Sequence, residues 1–133
     1  MTDLVFFYGT LMSGFDREGR ARIDAMLSPQ GRGSIHATLF DLGMYPGAIP
    51  STEGRVWGEV YRMVDVDAVF AVLDEVEGFR PDEPDASLYR RVVASVTLQD
   101  GRLTDAWVYF YNAPLGRAPR IESGDYLEYL KAK

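Results

Sequence analysis

The amino-acid sequence predicts an α+β fold in which a small mixed, mostly antiparallel β-sheet curls toward a barrel and short helices pack outside it. Apolar or alternating β-rich runs recur at five or six places, only three stretches carry helical signals, and the two kinds do not alternate as βαβ units would. The chain has 133 residues, 47% of them hydrophobic, with eight tyrosines and seven phenylalanines. That is enough for one core and one domain spanning 1–133.

Taken in order, Leu4 to Tyr8 is an apolar run stopped by Gly9, a buried first strand. A short helix is expected from Arg17 to Met26, closed by Ser28, Pro29 and Gly31. Ile35 to Leu42 reads as a second strand, and Gly43, Tyr45, Pro46 and Gly47 as a turn-rich passage. Val56 to Val64 alternates, with Val56, Gly58 and Val60 opposite Trp57, Glu59 and Tyr61, and Gly58 would permit a close backbone approach. Residues 66–77 have the strongest helical period, with Asp65 as N-cap and Gly78 as terminator. Gly78 to Leu88, with two prolines and several acidic residues, is expected to be a surface loop or a lid. Tyr89 to Leu98 and Ala106 to Tyr111 form a hairpin about Gln99, Asp100 and Gly101. The tail, Asp125 to Lys131, is a final short helix.

Composition excludes several function classes. There is no cysteine, hence no disulfide, zinc–thiolate site, iron–sulfur cluster or cysteine nucleophile. His36 is the only histidine and is expected to be structural or exposed, which leaves carboxylates for acid–base work. A net charge of −6 disfavours nucleic acid and anionic membranes, which need concentrated Lys and Arg. The one local basic cluster, Arg17, Arg20 and Arg22, reads as a solvated helix face. Early charges, including Asp3 and Glu18, break any leader-like apolar run, so a soluble, cytoplasmic protein is expected.

One carboxylate stands out. At about 100° per residue, Val66, Phe70 and Leu73 gather on one side of the 66–77 helix with Val69 beside them, and Glu77 falls in the middle of that side. Glu75 points nearly the opposite way and Asp74 lies at the edge. An ionised carboxylate aimed inward in a last helical turn is disfavoured by desolvation and by the negative end of the helix dipole. Its pKa rises toward neutrality, where one group can accept a proton and return it. The bland alternative is a frayed end with Glu77 in water, or a buried pair with arginine. A second feature, Tyr8-Gly9-Thr10-Leu11 after the first strand, can turn successive N–H groups toward one anion. Tyr89 and Tyr109, on strands, read first as packing residues with satisfied hydroxyls, and Glu59 as surface.

Together, Tyr8-Gly9-Thr10-Leu11, Gly43-Met44-Tyr45-Pro46-Gly47, Gly58-Glu59-Val60-Tyr61, Leu73-Asp74-Glu75-Val76-Glu77-Gly78 and Ala106-Trp107-Val108-Tyr109 resemble, in order and spacing, the signature of the gamma-glutamylcyclotransferase-like family. The likeness extends to Ile121-Glu122-Ser123-Gly124-Asp125. It implies a small mixed barrel and an enzyme that releases 5-oxoproline from a small gamma-glutamyl amine or peptide. It further implies that Tyr8, Gly9, Thr10 and Leu11 hold a substrate carboxylate, that Glu77 is the acid–base residue, and that Tyr89 and Tyr109 hydrogen-bond substrate. No metal and no organic cofactor is implied. The alternative on the same fold is a non-catalytic carboxylate-binding or regulatory domain. The 78–88 loop is longer and more acidic than in shorter members, and if it closes over the site it would favour leaving amines that carry a second positive charge.

Overall fold

A computed structural model describes residues 2–15 and 17–132. Five strands close into a barrel in the order β1 (Leu4–Phe7), β3 (Pro46–Met63), β2 (Leu27–Asp41), β4 (Tyr89–Leu98) and β5 (Leu103–Tyr111). Neighbouring pairs are antiparallel except β1 beside β5, where the parallel match of Val5 with Trp107 closes the ring. Closure gives each strand a neighbour on both sides, β2 meeting β4 only at Gly33 and Ser34, and inward side chains fill so small a barrel. Phe6, Ile35, Leu39, Val56, Val60 and Val108 are buried to within 1% of full burial.

Strands β2 and β3 run longer than the sequence suggests. Ser28, Pro29 and Gly31 do not close the first helix but lie in β2, where a bulge between Pro29 and Gly31 absorbs both turn formers. The turn-rich passage is confined to the tip of the β2–β3 hairpin, where Leu42 N–H donates to the Tyr45 carbonyl at 3.0 Å. β3 begins at once at Pro46, and the register jump from Ala37–Pro50 to His36–Arg55 loops out Ser51 to Gly54. Strand pairing with a long partner overrides these local breakers. At Gly58 the backbone approach is real: a Cβ would sit 2.2 Å from the Phe7 carbonyl oxygen. The Asp-Gly hairpin forms with Gly101 at φ 88°.

Helix α1 (Glu18–Ile23) continues into a 3-10 turn (Asp24–Met26), and α3 (Tyr126–Lys131) lies at the C-terminus. Helix α2 (Val66–Glu77) has the expected bounds. The Asp65 carboxylate accepts from Ala68 N–H at 3.1 Å, a cap worth about 1 kcal/mol. Gly78 at φ 65° ends the helix in a left-handed conformation, with Phe79 N–H returning to the Asp74 carbonyl at 2.9 Å. Val69, Phe70 and Leu73 are buried against the barrel, and Phe70 meets Trp107 edge-on at 5.4 Å.

The C-terminal segment straps the hairpin. Ile121 N–H donates to the Leu39 carbonyl and Trp57 N–H to the Gly124 carbonyl, at 2.8 and 2.9 Å. A Cβ at Gly124 would overlap the Arg55 carbonyl oxygen at 1.7 Å, so this position accepts only glycine.

Candidate active site

The three carboxylates at the end of α2 have three fates. Asp74 is held between Tyr109, whose hydroxyl donates to Oδ1 at 2.6 Å, and Arg91, whose Nε lies 3.4 Å away without hydrogen-bond alignment. The Arg91 guanidinium is stacked on Phe70 at 3.7 Å. Glu75 stands in water, 3.7 Å from Arg22. Glu77 faces a cavity and forms neither a hydrogen bond nor an ion pair through its side chain with any described residue. Burial pushes its carboxyl up to about 7, and the positive charge of Arg17 pulls part of the way back.

That cavity, about 70 Å³, is lined by Gly9, Thr10, Arg17, Tyr45, Pro46, Val76, Glu77, Leu88 and Tyr89. Five chain segments meet there for local reasons. β1 ends at Phe7, and Met12 N–H returning to the Gly9 carbonyl at 3.0 Å makes the turn that presents Gly9 and Thr10. Pro46 packs so near that a Cβ on Gly9 would lie 2.8 Å from its Cγ. Helix α1 crosses α2 where Gly19 meets Val76, a Cβ there falling 2.5 Å from the valine methyl, and this contact brings Arg17 beside the last turn of α2. The hairpin tip adds Tyr45 and Pro46. The start of β4 adds Leu88 and Tyr89, with Leu88 N–H donating to the Gly78 carbonyl at 3.0 Å.

Of the residues singled out in the sequence, Glu77, Gly9, Thr10 and Tyr89 line this cavity together. The Tyr89 hydroxyl donates to the Pro46 carbonyl at 2.9 Å. Tyr8 stands behind the wall, its hydroxyl donating to the Tyr109 carbonyl at 2.7 Å and accepting from Ala48 N–H at 3.1 Å. Tyr109 is likewise a layer back, on Asp74. Burial raises all three phenols well above the ordinary range, and the Glu77 charge adds to each. Leu11 has its side chain in the core, and its carbonyl accepts from Arg20 at 2.7 Å. The N–H groups of Gly9, Thr10 and Leu11 donate to no described residue.

Two expectations are overturned here. The arginine cluster is not a solvated face: only Arg22 points outward, whereas Arg17 lines the cavity and donates to Thr10 Oγ1, and Arg20 lies over the Tyr61 ring at 4.5 Å. Helical spacing on α1 could not reveal this, because Arg17 precedes the first turn and its direction is set by the α1–α2 crossing. Glu59 is not simply surface either. It accepts from Ser13 N–H and Oγ–H, both at 2.7 Å, and from the Tyr61 hydroxyl at 2.8 Å. His36 is exposed, as expected.

The 78–88 segment is fastened down. Ser87 is buried, its Oγ accepts from Arg80 N–H at 2.7 Å, and the Asn112 side-chain amide donates to the Ser87 carbonyl at 3.0 Å. Glu83 pairs with Arg80 at 3.2 Å and Asp85 with Arg90 at 3.9 Å. None of Asp82, Glu83 and Asp85 lines the Glu77 cavity. Among the described residues, no group of three or more His, Cys, Asp or Glu is placed to hold a metal ion, and no helix is long and apolar enough to cross a membrane.

A family model described as "Gamma-glutamyl cyclotransferase, AIG2-like" matches residues 5–128. The chain is 32% identical over 125 residues to the gamma-glutamylcyclotransferase family protein YtfP of Escherichia coli strain K12, covering 93% of this chain and 96% of that one. The solution structure of E. coli ytfP superposes with a TM-score of 0.68 over 95% of this chain and 97% of that one, at 33% identity. An aig2-like protein from Mus musculus does so with a TM-score of 0.70 over 92% and 88%, at 25% identity. The barrel closed by a parallel β1–β5 contact, the glutamate in the last turn of α2 and these matches along the chain lead to one assignment: it belongs to the gamma-glutamyl cyclotransferase, AIG2-like family.

Proposed function

We propose that this protein is a cyclotransferase that releases 5-oxoproline from a gamma-glutamyl conjugate by intramolecular aminolysis. The observation that carries the reading is Glu77: a carboxylate without a partner among the described residues, with a pKa raised to about 7, facing a small cavity it shares with the Gly9-Thr10 turn. The substrate's α-nitrogen attacks its own γ-carbonyl carbon, forming the ring C–N bond and breaking the C–N bond to the leaving amine. The α-nitrogen sheds two protons, one before attack and one as the lactam N–H forms; Glu77 takes each in turn and delivers it to the departing nitrogen, which leaves as an ammonium, so the carboxylate is regenerated each turn. A group titrating near neutrality serves both steps.

The Gly9 and Thr10 amides hold the α-carboxylate of the gamma-glutamyl head, as oriented backbone N–H groups do without a cation. Folding the chain back on itself is then worth much of the rate, because five-membered ring closure has a large effective molarity once its ends are held together. Tyr89 bounds the head group with its ring and can still accept through its hydroxyl oxygen. Tyr8 and Tyr109 act from behind the wall, Tyr109 by fixing Asp74 and with it the last turn of α2. The test is 5-oxoproline release from a panel of gamma-glutamyl amines and dipeptides. Wild type should turn over at least one, and Glu77→Gln should do so at least about a hundredfold more slowly. A Glu77→Gln variant as active as wild type would refute the reading; binding without turnover by wild type would favour a non-catalytic carboxylate-binding domain.

A further inference from the structure

Arg17 is a half-buried cation that forms no ion pair with any described residue, although its charge acts on Glu77 across the cavity they share. Its neighbours on α1 pair locally, Arg20 with Asp24 at 3.1 Å and Arg22 with Glu75 at 3.7 Å. Arg17 forms no ion pair with a described residue and donates only to the neutral Thr10 hydroxyl. A guanidinium carries five N–H donors in a rigid fork suited to a carboxylate, so most of its capacity is unused.

Its position says which part of a ligand would meet it. Besides lining the Glu77 cavity, Arg17 borders two open clefts, one with Glu18, Arg22 and Glu75 and the other with Met12, Ser13 and Phe15. It therefore stands where the cavity meets the surface. The cavity, about 70 Å³, is far below the roughly 300 Å³ at which sites for whole drug-sized ligands begin. A cavity of this size has room for a small head group, and on the cyclotransferase reading the group on the amide nitrogen extends toward the surface past Arg17. The acidic residues of the 78–88 loop do not offset this charge, since Glu83 and Asp85 are engaged by Arg80 and Arg90 and only Leu88 of that loop reaches the cavity.

We infer that Arg17 sets the leaving-group specificity, selecting gamma-glutamyl conjugates whose amine bears a carboxylate, that is, gamma-glutamyl amino acids, over conjugates whose amine is neutral or carries a second positive charge. This rests on the cyclotransferase reading and reverses the sign of preference that the acidic loop suggests in the sequence. A charge-assisted fork on a carboxylate discriminates against its uncharged isostere by at least about tenfold.

The decisive comparison uses gamma-glutamyl-alanine and gamma-glutamyl-alanine amide, which differ only in that charge. In wild type the acid should exceed the amide in kcat/KM by about tenfold or more. Arg17→Gln should bring the ratio to within about twofold of unity, and Arg17→Lys should restore part of it. A general folding defect lowers both substrates alike and cancels in the ratio. A wild-type ratio near unity, or one that Arg17→Gln leaves unchanged, overturns the inference. Calorimetric binding of the same two compounds to Glu77→Gln separates this claim from the chemistry. Preferential binding of the acid that is lost in the Arg17→Gln/Glu77→Gln double variant supports the Arg17 assignment even if wild type shows no turnover, which would sink the cyclotransferase reading alone. Equal affinities, or no binding of either compound, count against Arg17.

Discussion

Two of the cavities among the described residues differ in what their polar groups lack. The larger, about 360 Å³, is lined by Trp57, Tyr61, Glu59, Arg20, Arg32 and Leu127 among others. Its charges are spoken for: Glu59 by Ser13 and Tyr61, Arg32 by Asp125, Arg20 by Asp24 and the Leu11 carbonyl. The smaller holds a carboxylate and a guanidinium near enough to feel each other, yet forming no ion pair. Room and reactivity are thus separate properties. A satisfied network stabilises the fold, whereas a desolvated, unpaired acid costs stability and is poised to move a proton.

Substituting the two glutamates should break this contrast most sharply. Glu77→Gln is expected to lower 5-oxoproline release by about 10²–10⁴-fold, the usual worth of a general acid–base residue. Glu59→Gln and the outward Glu75→Gln should each stay within about threefold of wild type in the same assay. Comparable losses at Glu59 and Glu77 would erase the distinction between the cavities.

Stability should move the other way. Glu59→Gln replaces an acceptor of three hydrogen bonds and should cost about 1–2 kcal/mol in denaturant unfolding. For Glu77 the folded pKa of about 7 lies above the ordinary value of 4.5, so the folded state holds the proton more tightly than the unfolded chain does. Its contribution is full below about pH 4.5 and is lost as pH rises through 7. Glu77→Gln cannot ionise, so at pH 8 it should exceed wild type by roughly 1–3 kcal/mol, and the difference should close toward pH 4. A constant difference between pH 4 and 8 would mean that Glu77 is solvated.

The same titration predicts the rate profile. Wild-type kcat/KM should rise with pH as the Glu77 carboxylate forms, with an inflection near 7, whereas the residual rate of Glu77→Gln should show no such inflection. An acid limb centred near 4.5 would show that substrate meets an ordinary, exposed carboxylate.

The smallest effect is expected at the acidic loop. Changing Asp82, Glu83 and Asp85 together to Asn and Gln should alter the ratio of activity on gamma-glutamyl-lysine to that on a neutral conjugate by less than about twofold at low salt. These charges are exposed, and such pairs are worth little. A change of tenfold would bring the loop back as a determinant of specificity.

Much of this site is legible along the chain because its central element is local. Asp65, the 3.6-residue period and Gly78 specify α2 through contacts no more than a few residues apart, and the same period aims Glu77 inward and Glu75 outward. The Asp-Gly hairpin and the apolar first strand are local in the same sense. What the sequence could not show is set by pairing and crossing between distant segments. Turn formers at Pro29, Gly31, Pro46 and Pro50 are taken into strands because β2 and β3 pair along their length. Arg17 faces Glu77, and does not decorate a helix surface, because Gly19 lets α1 close on Val76 of α2, 57 positions further along the chain. Of three tyrosines alike in pattern, only Tyr89 reaches the cavity, since the barrel register places Tyr8 and Tyr109 behind it. Periodicity determined which carboxylate is aimed inward; the packing of α1, the hairpin tip and β4 around it, which no local spacing encodes, decided what that carboxylate meets and left it without a partner among the described residues.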